Sequence, residues 1–264
     1  MKIALIGDVH ANLPALEAVL AHAHEQGAQA IWHIGDFVGY GAHPDEVVQR
    51  LRQAGALSTI GNYDLKTLKF KEKQDKWRGS KRQEKWLAFK WAYENLSKKS
   101  RKYLRSLPQE IRMELGGRRL LLTHASPASN EEHLTPDTPE ERLKELAKMA
   151  KADVIICGHS HQPFARQVDE VWFINTGSVG RPDDGDTRAA YAILDIEPER
   201  FEVLHYRLEY DVASAVAAIR EHKLPEAFAQ MMLQGRSLDE VRDVVEPHAT
   251  PKASTETSKD YNLT

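Results

Sequence analysis

Residues 3–12 read IALIGDVHAN, a short apolar run that ends in polar side chains at Asp8, His10 and Asn12. The run IALI is typical of a strand buried on both faces of a sheet, and the glycine after it permits a sharp exit. In open α/β sheets, ligands bind at the carboxyl ends of the strands. Asp8 and His10 are two residues apart, so a carboxylate and an imidazole can converge there on a divalent metal ion. On its own this pair is weak evidence, because a capped loop with a surface histidine contains the same residues.

Four later stretches repeat the arrangement in which an apolar run is followed by polar side chains. They are Gly35-Asp36 after AIWHI, Gly61-Asn62-Tyr63-Asp64 after LSTI, Thr123-His124 after RRLLL, and Gly158-His159-Ser160-His161 after DVIIC. Each run reads as a strand, so one edge of a sheet would gather all of these side chains. Because ligand-type residues at five strand ends serve no packing purpose, the pattern predicts a metal site.

The composition is typical of a globular protein that does not span a membrane. The chain has 264 residues, of which 41% are hydrophobic, and no apolar run approaches the roughly 18 residues of a membrane span. The N-terminus enters a strand without a charged and apolar leader, so we expect a soluble, cytoplasmic protein with no membrane partner. The single cysteine, Cys157, excludes an internal disulfide and is expected to be a small buried core residue. The sequence does not indicate an oligomeric state.

The net charge of −3 is unevenly distributed along the chain. Residues 66–105 contain 15 Lys and Arg against 4 Asp and Glu, which is +11 in 40 residues. Aromatic residues are interspersed among these charges, and we expect residues 65–107 to form one or two helices that make a basic cap. This cap is either a solvated charged face over a small aromatic core or a surface that attracts a phosphate-rich substrate, such as a nucleotide or nucleic acid.

The order of the elements predicts an α/β protein with two mixed sheets. Strand and helix alternate through the first 64 residues, which implies parallel pairing, whereas the second half is rich in hairpins. We expect helices at residues 13–27, after Pro44, and after Thr138, which would be an N-cap. His22 and His24 would lie on the surface, and His33 would be packed in a strand. Residues 211–245 read as helical segments with a break at Gly235, and residues 247–264 lack periodicity and are expected to be disordered.

In order and spacing, the motifs GDVHAN, GD, GNYD, TH, GHSH and NTGS resemble those of the calcineurin-like metallophosphoesterases, most closely the small bacterial and archaeal phosphodiesterase branch. The resemblance covers about residues 1–210 and implies a four-layer α/β/β/α sandwich. The cap at 65–107, read from the charge pattern, would be an insertion in this domain, and residues 211–246 would form a C-terminal helical extension. It also implies two divalent metal ions at the carboxyl ends of the central strands. One ion would be held by Asp8, His10, Asp36 and His161, and the other by Asp36, Asn62, His124 and His159.

The ligand types agree with this division and with hydrolysis of a phosphate ester. A carboxylate can bridge two cations, and imidazole and amide ligands suit Mn, Fe, Co, Ni or Zn rather than calcium, with manganese as the expected ion. Two such cations would activate a shared water for attack on phosphorus. We therefore expect a phosphodiesterase acting on a nucleotide or a nucleic acid. A phosphomonoesterase or protein phosphatase of the same fold is an alternative, as is a protein-binding scaffold, although all seven ligand positions are intact.

Two positions depart from the pattern of the broad family. Tyr63 stands where many members have the histidine that protonates the leaving group, and His124 is followed by Ala125 rather than by glycine. The roles of Tyr63 and of Asp64, which in the family orients that histidine, therefore stay open within the expected catalytic set of Asp36, Asn62, His124, Tyr63 and Asp64. Residues that flank the motifs are candidates for phosphate contact, with an exposed loop residue as the alternative for each: Asn12, Tyr40, Arg181 and Arg188. The NTGS turn, residues 175–178, is expected to shape the loop beneath the metals.

Overall fold

The strand predicted from the IALI run, β1 (Lys2–Ile6), lies in the middle of a five-stranded mixed sheet. In this computed structural model, which describes residues 1–245, it pairs in parallel with one neighbour and antiparallel with the other. The sheet has the order β10-β9-β1-β2-β3, and its other members are β2 (Ala30–His33), β3 (Leu57–Ser58), β9 (Ala189–Glu197) and β10 (Arg200–Leu208). The parallel part, β1-β2-β3, is the part predicted from the alternation of strands and helices.

A second five-stranded mixed sheet is formed by the segment between the insertion and β9. Its order is β4-β5-β6-β8-β7, with β4 (Glu110–Leu115), β5 (Arg118–Thr123), β6 (Val154–Cys157), β7 (Phe164–Val168) and β8 (Val171–Asn175). The three central strands are parallel, and each edge strand is the antiparallel partner in a hairpin. The prediction that this half of the chain is rich in hairpins is therefore confirmed, and β4 and β5 are joined at Gly116-Gly117.

Within residues 1–245, ten helices accompany the sheets. They are α1 (Leu13–Glu25), α2 (Pro44–Gln53), α3 (Asn62–Leu68), α4 (Phe70–Ser80), α5 (Gln83–Asn95), α6 (Lys98–Ser106), α7 (Glu140–Ala150), α8 (Val212–Glu221), α9 (Glu226–Gln234) and α10 (Leu238–Val245). None of them is long and apolar enough to cross a membrane. The predicted disordered tail, residues 247–264, lies outside the described residues, and the domain boundaries and the cytoplasmic location stay predictions.

The two sheets pack face to face, with helices on both outer faces. Because successive residues of a strand point to opposite faces, Ile3 and Leu5 pack against Leu122 and Ile156 of the second sheet. Ala4 and Ile6 instead pack with residues of α1, including Leu16 and Val19. On the far side, α7 covers the second sheet through Leu143 and Leu146. This is the predicted four-layer α/β/β/α sandwich.

Three local predictions are wrong. The insertion contains four helices rather than one or two, and the first begins at Asn62, inside the GNYD motif. Thr138 does not cap α7, because its hydroxyl accepts the N–H of Thr135 and the residue before the helix is Pro139. His22 is half-buried rather than a surface residue, and its Nδ1 lies 2.6 Å from the hydroxyl of Tyr191. His33 and Cys157 are buried as expected.

The three C-terminal helices pack beside the edge of the first sheet where the polar motifs emerge. Helices α8, α9 and α10 share an apolar cluster with Tyr40 and Ala42, from the loop after β2, and with Ala88, from α5 of the insertion. The helices after residue 210 thus contact both the sandwich and the insertion, next to the sheet edge where the polar motifs lie.

Candidate metal centre

All seven predicted ligands emerge at the carboxyl ends of strands, as the sequence indicated. Asp8 follows β1, Asp36 follows β2, and Asn62 follows the short β3, whereas His124 follows β5 and His159 follows β6. Six of the seven are buried, and His159 is half-buried. The carboxyl ends of strands from both sheets therefore bring these polar side chains together in a region that excludes most water.

Six of these residues form two groups, in each of which one ligand atom per residue lies within 4.8 Å of the others. The groups are Asp8 with His10 and His161, and Asp36 with His124 and His159. Each group combines a carboxylate with two imidazoles, a donor set that suits a borderline transition metal. Asn62, at the start of α3, lines a cavity of about 300 Å³ together with His159 and His161. Each group could therefore hold one metal ion.

Two of the histidines are oriented by backbone carbonyls so that the Nε2 atom faces the centre. Nδ1 of His10 lies 3.2 Å from the carbonyl of Val38, and Nδ1 of His124 lies 2.9 Å from the carbonyl of Ile34. A carbonyl only accepts hydrogen bonds, so Nδ1 carries the proton and Nε2 presents a lone pair. Nε2 of His10 lies 3.2 Å from Nε2 of His161. Nitrogen atoms this close need a proton or a cation between them.

Asp36 lies between the two groups. Its Oδ2 atom is 3.7 Å from Nε2 of His10 and 3.6 Å from Nε2 of His124. Its Oδ1 accepts the N–H of Tyr63 at 2.8 Å, which fixes the carboxylate. Burial, together with the nearby negative charge of Asp8, raises the pKa of Asp36 to about 8. A cation bound between the two groups would stabilise the charged form of this carboxyl at neutral pH.

Several buried polar atoms at the centre have no hydrogen-bond partner among the described residues: Asp8 Oδ1, Asn62 Oδ1 and His124 Nε2. Burying such atoms without a partner costs free energy. Burial opposes the charge on Asp8, but the attraction of the neighbouring His161 holds the pKa of Asp8 below its usual range. The residues therefore fit divalent metal ions, which would supply the missing partners.

The backbone of the centre is held in strained conformations. Five of the seven predicted ligands have a left-handed backbone, with φ of 51° at Asp8, 49° at His10, 57° at Asp36, 65° at His159 and 59° at His161. Such conformations cost about 1–3 kcal/mol each and persist only where the surroundings enforce them. Clusters of this strain are typical of functional sites.

Asp64 is one of the groups that enforce this backbone. Its Oδ2 accepts the N–H of Asp36 and the N–H of Gly61, each at 3.0 Å, and its Oδ1 accepts the N–H of Val38 at 3.2 Å. Burial, with the negative charge of Asp36, raises the pKa of Asp64 to about 7. Its observed position is beneath the loops rather than in the cavity, so we assign it to positioning Asp36.

A cavity of about 300 Å³ opens in front of the centre, and three of the other predicted site residues line it. Tyr40 and Tyr63 place their hydroxyl oxygens 2.5 Å apart. The guanidinium carbon of Arg181 lies 4.7 Å from the centre of the Tyr40 ring, and Nη2 of Arg181 lies 3.3 Å from Oδ2 of Asp183. Nε of Arg181 is buried and has no partner among the described residues.

Two of the predicted phosphate contacts, Asn12 and Arg188, do not line the cavity. Asn12 is buried, and its side chain caps α1 by accepting the N–H of Ala15 while its amide donates to the carbonyl of Gly180. Arg188 is exposed, forms an ion pair with Asp186 and does not line the cavity. Both flank a motif in sequence, but the chain turns their side chains away from the metal centre.

The NTGS turn supports the loops under the centre, as predicted. The hydroxyl of Ser178 donates to the carbonyl of Asp8 at 2.8 Å, and the amide of Asn175 donates to the carbonyl of Gly158 at 2.8 Å. Neither side chain lines the cavity. The turn therefore fixes the residues that follow β1 and β6.

Several cavity residues were not predicted. Oδ2 of Asp183 lies 3.2 Å from Nδ1 of His161, and the ring of His133 lies 4.5 Å from that of His159. Asp183 lies two residues after Arg181 in the loop that follows NTGS. This short distance from a predicted site residue is a sequence signal that could have identified Asp183. Residues 237–239 at the start of α10 also line the cavity, and no sequence motif marks them.

Comparison with known proteins places this site in a family. The sequence pattern of the calcineurin-like phosphoesterase superfamily domain matches residues 1–199. The uncharacterized protein MJ0912 of Methanocaldococcus jannaschii is 34% identical over 253 residues, which cover 89% of this chain and 98% of that protein. Phosphodiesterase YfcE of Escherichia coli is 28% identical over 74% of this chain and 88% of its own. A crystal structure of a metallophosphoesterase from Sphaerobacter thermophilus is 30% identical, with a TM-score of 0.74, and the alignment covers 89% of this chain and 99% of that one.

Proposed function

The chain belongs to the calcineurin-like phosphoesterase superfamily, and from this premise we propose that it is a metal-dependent phosphodiesterase that hydrolyses a phosphate ester of a nucleotide or nucleic acid. The name of the related Escherichia coli phosphodiesterase supports the diesterase assignment. The position of the Asp36 carboxylate, within 3.7 Å of a histidine from each ligand group, is the observation that carries the proposal of a dinuclear centre.

We assign the ligands in two sets that share Asp36. One ion would be held by Asp8, His10, Asp36 and His161, and the other by Asp36, Asn62, His124 and His159. When bound, the two ions lower the pKa of a shared water and neutralise charge on the phosphate. Manganese is our proposed ion, and iron, zinc, cobalt and nickel suit the same donors.

The other residues of the cavity orient the substrate. Arg181 presents a buried guanidinium whose Nε has no partner among the described residues, so it is placed to donate to a non-bridging phosphate oxygen. Tyr40 lies under that guanidinium and restricts its position. Asp64 fixes the backbone of Asp36, and Asp183 lies beside Nδ1 of His161 on the side away from the centre. Asp64 and Asp183 are thus positioning residues.

Outside the metal ligands, the charged side chains of the cavity balance one another. Beyond the metal ligands, its lining contains three cationic residues, Lys66, Lys85 and Arg181, which are balanced by three carboxylates, Glu131, Asp183 and Asp239. A diester carries one negative charge, whereas a monoester carries nearly two at neutral pH. Because two bound divalent ions would add positive charge to this balanced lining, the diester assignment rests on the related phosphodiesterase and is decided by a direct comparison of the two esters.

Hydrolysis of bis-p-nitrophenyl phosphate and p-nitrophenyl phosphate by metal-stripped protein, with and without added manganese, tests this proposal. We expect no turnover without metal, restoration by manganese, and faster hydrolysis of the diester. Faster hydrolysis of the monoester would favour a phosphomonoesterase or protein phosphatase. The assay is repeated with iron, zinc, cobalt and nickel in place of manganese. If the protein binds these ions stoichiometrically but turns over neither ester with any of them, the scaffold alternative is favoured.

A further inference from the structure

A second cavity, a groove of about 500 Å³, adjoins the metal cavity. The two share Asn62, Lys66 and Glu131 in their linings, so a ligand held at the metal centre can continue into the groove. Four of the residues that line the groove are lysines and one is a carboxylate: Lys66, Lys69, Lys73, Lys76 and Glu131. In contrast to the balanced metal cavity, the groove is therefore strongly positive.

The lysines of the groove are regularly spaced. Lys66 lies on α3, Lys69 lies in the turn between the two helices, and Lys73 and Lys76 lie on α4, which is a lysine every three or four residues over a length of at most about 15 Å. The last three are exposed, and Lys66 forms an ion pair with Glu131 at 2.6 Å where the groove meets the metal cavity. A row of cations of this kind complements a chain with repeated negative charges rather than a single phosphate group.

The groove also offers an apolar surface formed by Leu65 and Trp77. The half-buried ring of Trp77 packs against the ring of Phe89, with their centres 5.6 Å apart, and the ammonium group of Lys81 lies 5.1 Å from the centre of the Trp77 ring. These contacts hold the ring in place, and its remaining surface lines the groove. A flat aromatic side chain beside a track of cations is the combination by which proteins bind single-stranded nucleic acids, because any base can stack on it. A simple phosphate chain would gain nothing from this ring.

We propose that this groove, defined by Lys66, Lys69, Lys73, Lys76 and Trp77, binds the nucleotides adjacent to the cleaved phosphodiester in a single-stranded nucleic acid. The inference rests on the proposed function and specifies its substrate class. The metal ligands are largely buried behind a cavity of about 300 Å³, so a single strand can bring a phosphodiester to them whereas a duplex is too wide. The sugar–phosphate backbone follows the lysines, and a base stacks on Trp77.

Charge reversal in the groove tests the proposal, with a matched change elsewhere on the insertion as a control. The test variant is K69E/K73E/K76E, and the control is K98E/K99E/K102E, which reverses three exposed lysines on α6. Affinity for a fluorescein-labelled single-stranded dT12 is measured with the full chain, without added metal, between 50 and 200 mM salt. Loss of three phosphate contacts should make binding by the test variant less sensitive to salt. Between 50 and 200 mM salt, the affinity of the wild type should fall by about tenfold more than the affinity of the test variant. The control should behave like the wild type.

Three outcomes would overturn the proposal. The first is that the two triple variants change the affinity for dT12 equally, and the second is that neither changes it. The third is that the wild type binds dT12 and an abasic strand of the same length equally well, because the abasic strand keeps the charge and lacks the bases. Because binding is measured without turnover, these results are separate from those with the nitrophenyl esters. If the manganese-loaded protein hydrolyses the small diester but the groove variant binds dT12 as the wild type does, the groove assignment fails and the proposed function stands.

Discussion

Gly61 lies so close to Asp36 that a β-carbon added to it would be 2.0 Å from Oδ1 of Asp36 and 2.2 Å from its backbone nitrogen. Real β-carbon contacts essentially never fall below 3.0 Å. Only a residue without a side chain allows the loop after β3 to approach the carboxylate that lies between the two ligand groups. The glycine of the GNYD motif therefore sets the distance between Asp36 and the start of α3.

We expect Gly61→Ala to weaken metal binding about 10- to 100-fold, the range seen when a group that orients a ligand is lost. The added methyl group would displace Asp36, and the overpacking would cost about 1–3 kcal/mol of stability. Titration of the metal-stripped protein with manganese measures the first effect, and thermal unfolding measures the second. Gly79→Ala is the control, because Gly79 is exposed on α4 and its added β-carbon would meet nothing within 4 Å. Wild-type metal affinity in Gly61→Ala would contradict this account.

We expect Asp36→Asn to reduce turnover of the small diester by about 10²-fold or more, because loss of a bridging ligand should cost at least as much as loss of an outer partner. The fold should survive. Burial raises the pKa of Asp36 to about 8, so the metal-free side chain is mostly neutral at pH 7, and an amide has nearly the same shape and can still accept the N–H of Tyr63. Near-normal activity at saturating manganese would exclude the two-metal mechanism. Asp75→Asn, an exposed change on α4, should leave both activity and melting temperature unaltered.

Metal binding should release protons at neutral pH. Burial and the charge of Asp8 raise the pKa of Asp36 to about 8. Burial and Arg181 act against protonation of His161, but Asp8 and Asp183 outweigh them and raise the pKa of His161 to about 9. Both groups must lose their protons to become ligands, so we expect about one to two protons per protein at pH 7 and fewer as the pH approaches 9. Calorimetric titration in buffers of different ionisation enthalpy counts them, and a count of zero at pH 7 would refute the assignment.

The same shifts predict how the metal-free fold depends on pH. A group whose pKa is raised in the folded state contributes stability that is full below its unfolded pKa and is lost as the pH rises through its folded pKa. The melting temperature of metal-stripped protein should therefore fall between pH 6 and 9, and manganese should reduce that fall. A melting temperature that rises over this window without metal would contradict the shifts of Asp36 and His161.

The sequence was sufficient for the features that depend on local pattern. Buried strands were recognisable as short apolar runs followed by ligand-type residues such as Asp8, Asp36 and His124. Because the strands pair in parallel, their carboxyl ends lie at the same edge of a sheet, and so do these residues. The order of the motifs then predicted which residues meet. Even the role of the NTGS turn followed, because a small polar turn at a strand end has few alternatives to bonding the neighbouring backbone.

Features that depend on tertiary packing were not predictable in this way. Asn12 ends the GDVHAN motif, and Arg181 and Arg188 follow the NTGS turn by three and ten residues. Only the course of the loops decides which of these side chains enters the cavity. Residues 237–239 are distant in sequence and carry no motif, and they reach the cavity because α8–α10 pack on Tyr40 and on the insertion. The insertion itself divides into four helices at breaks that its charge pattern does not mark.

We expect the acidity of Tyr63 to limit which leaving groups this site can expel. Its hydroxyl lies 2.5 Å from that of Tyr40, and burial, with the neighbouring Tyr40, raises the pKa of Tyr63 well above its ordinary value. A histidine at this position, with an unperturbed pKa of about 6.5, could donate a proton to a departing alkoxide, whereas this tyrosine is a much weaker acid. The enzyme should therefore cleave aryl esters and phosphoanhydrides far better than simple alkyl phosphodiesters, whose leaving groups need a proton.

Replacement of Tyr63 separates a role at the leaving group from packing. The ring lies 5.1 Å from that of Phe89 in the insertion and 5.2 Å from that of His10, so packing or stacking on a substrate base is the alternative. Tyr63→His should raise the alkyl-to-aryl rate ratio, and Tyr63→Phe, which keeps the ring and removes the hydroxyl, should lower it if the hydroxyl assists departure. Tyr40→Phe is the control, because it breaks the same hydroxyl pair from the other side. If neither Tyr63 variant changes the ratio, the side chain has no role at the leaving group and acts through its ring alone.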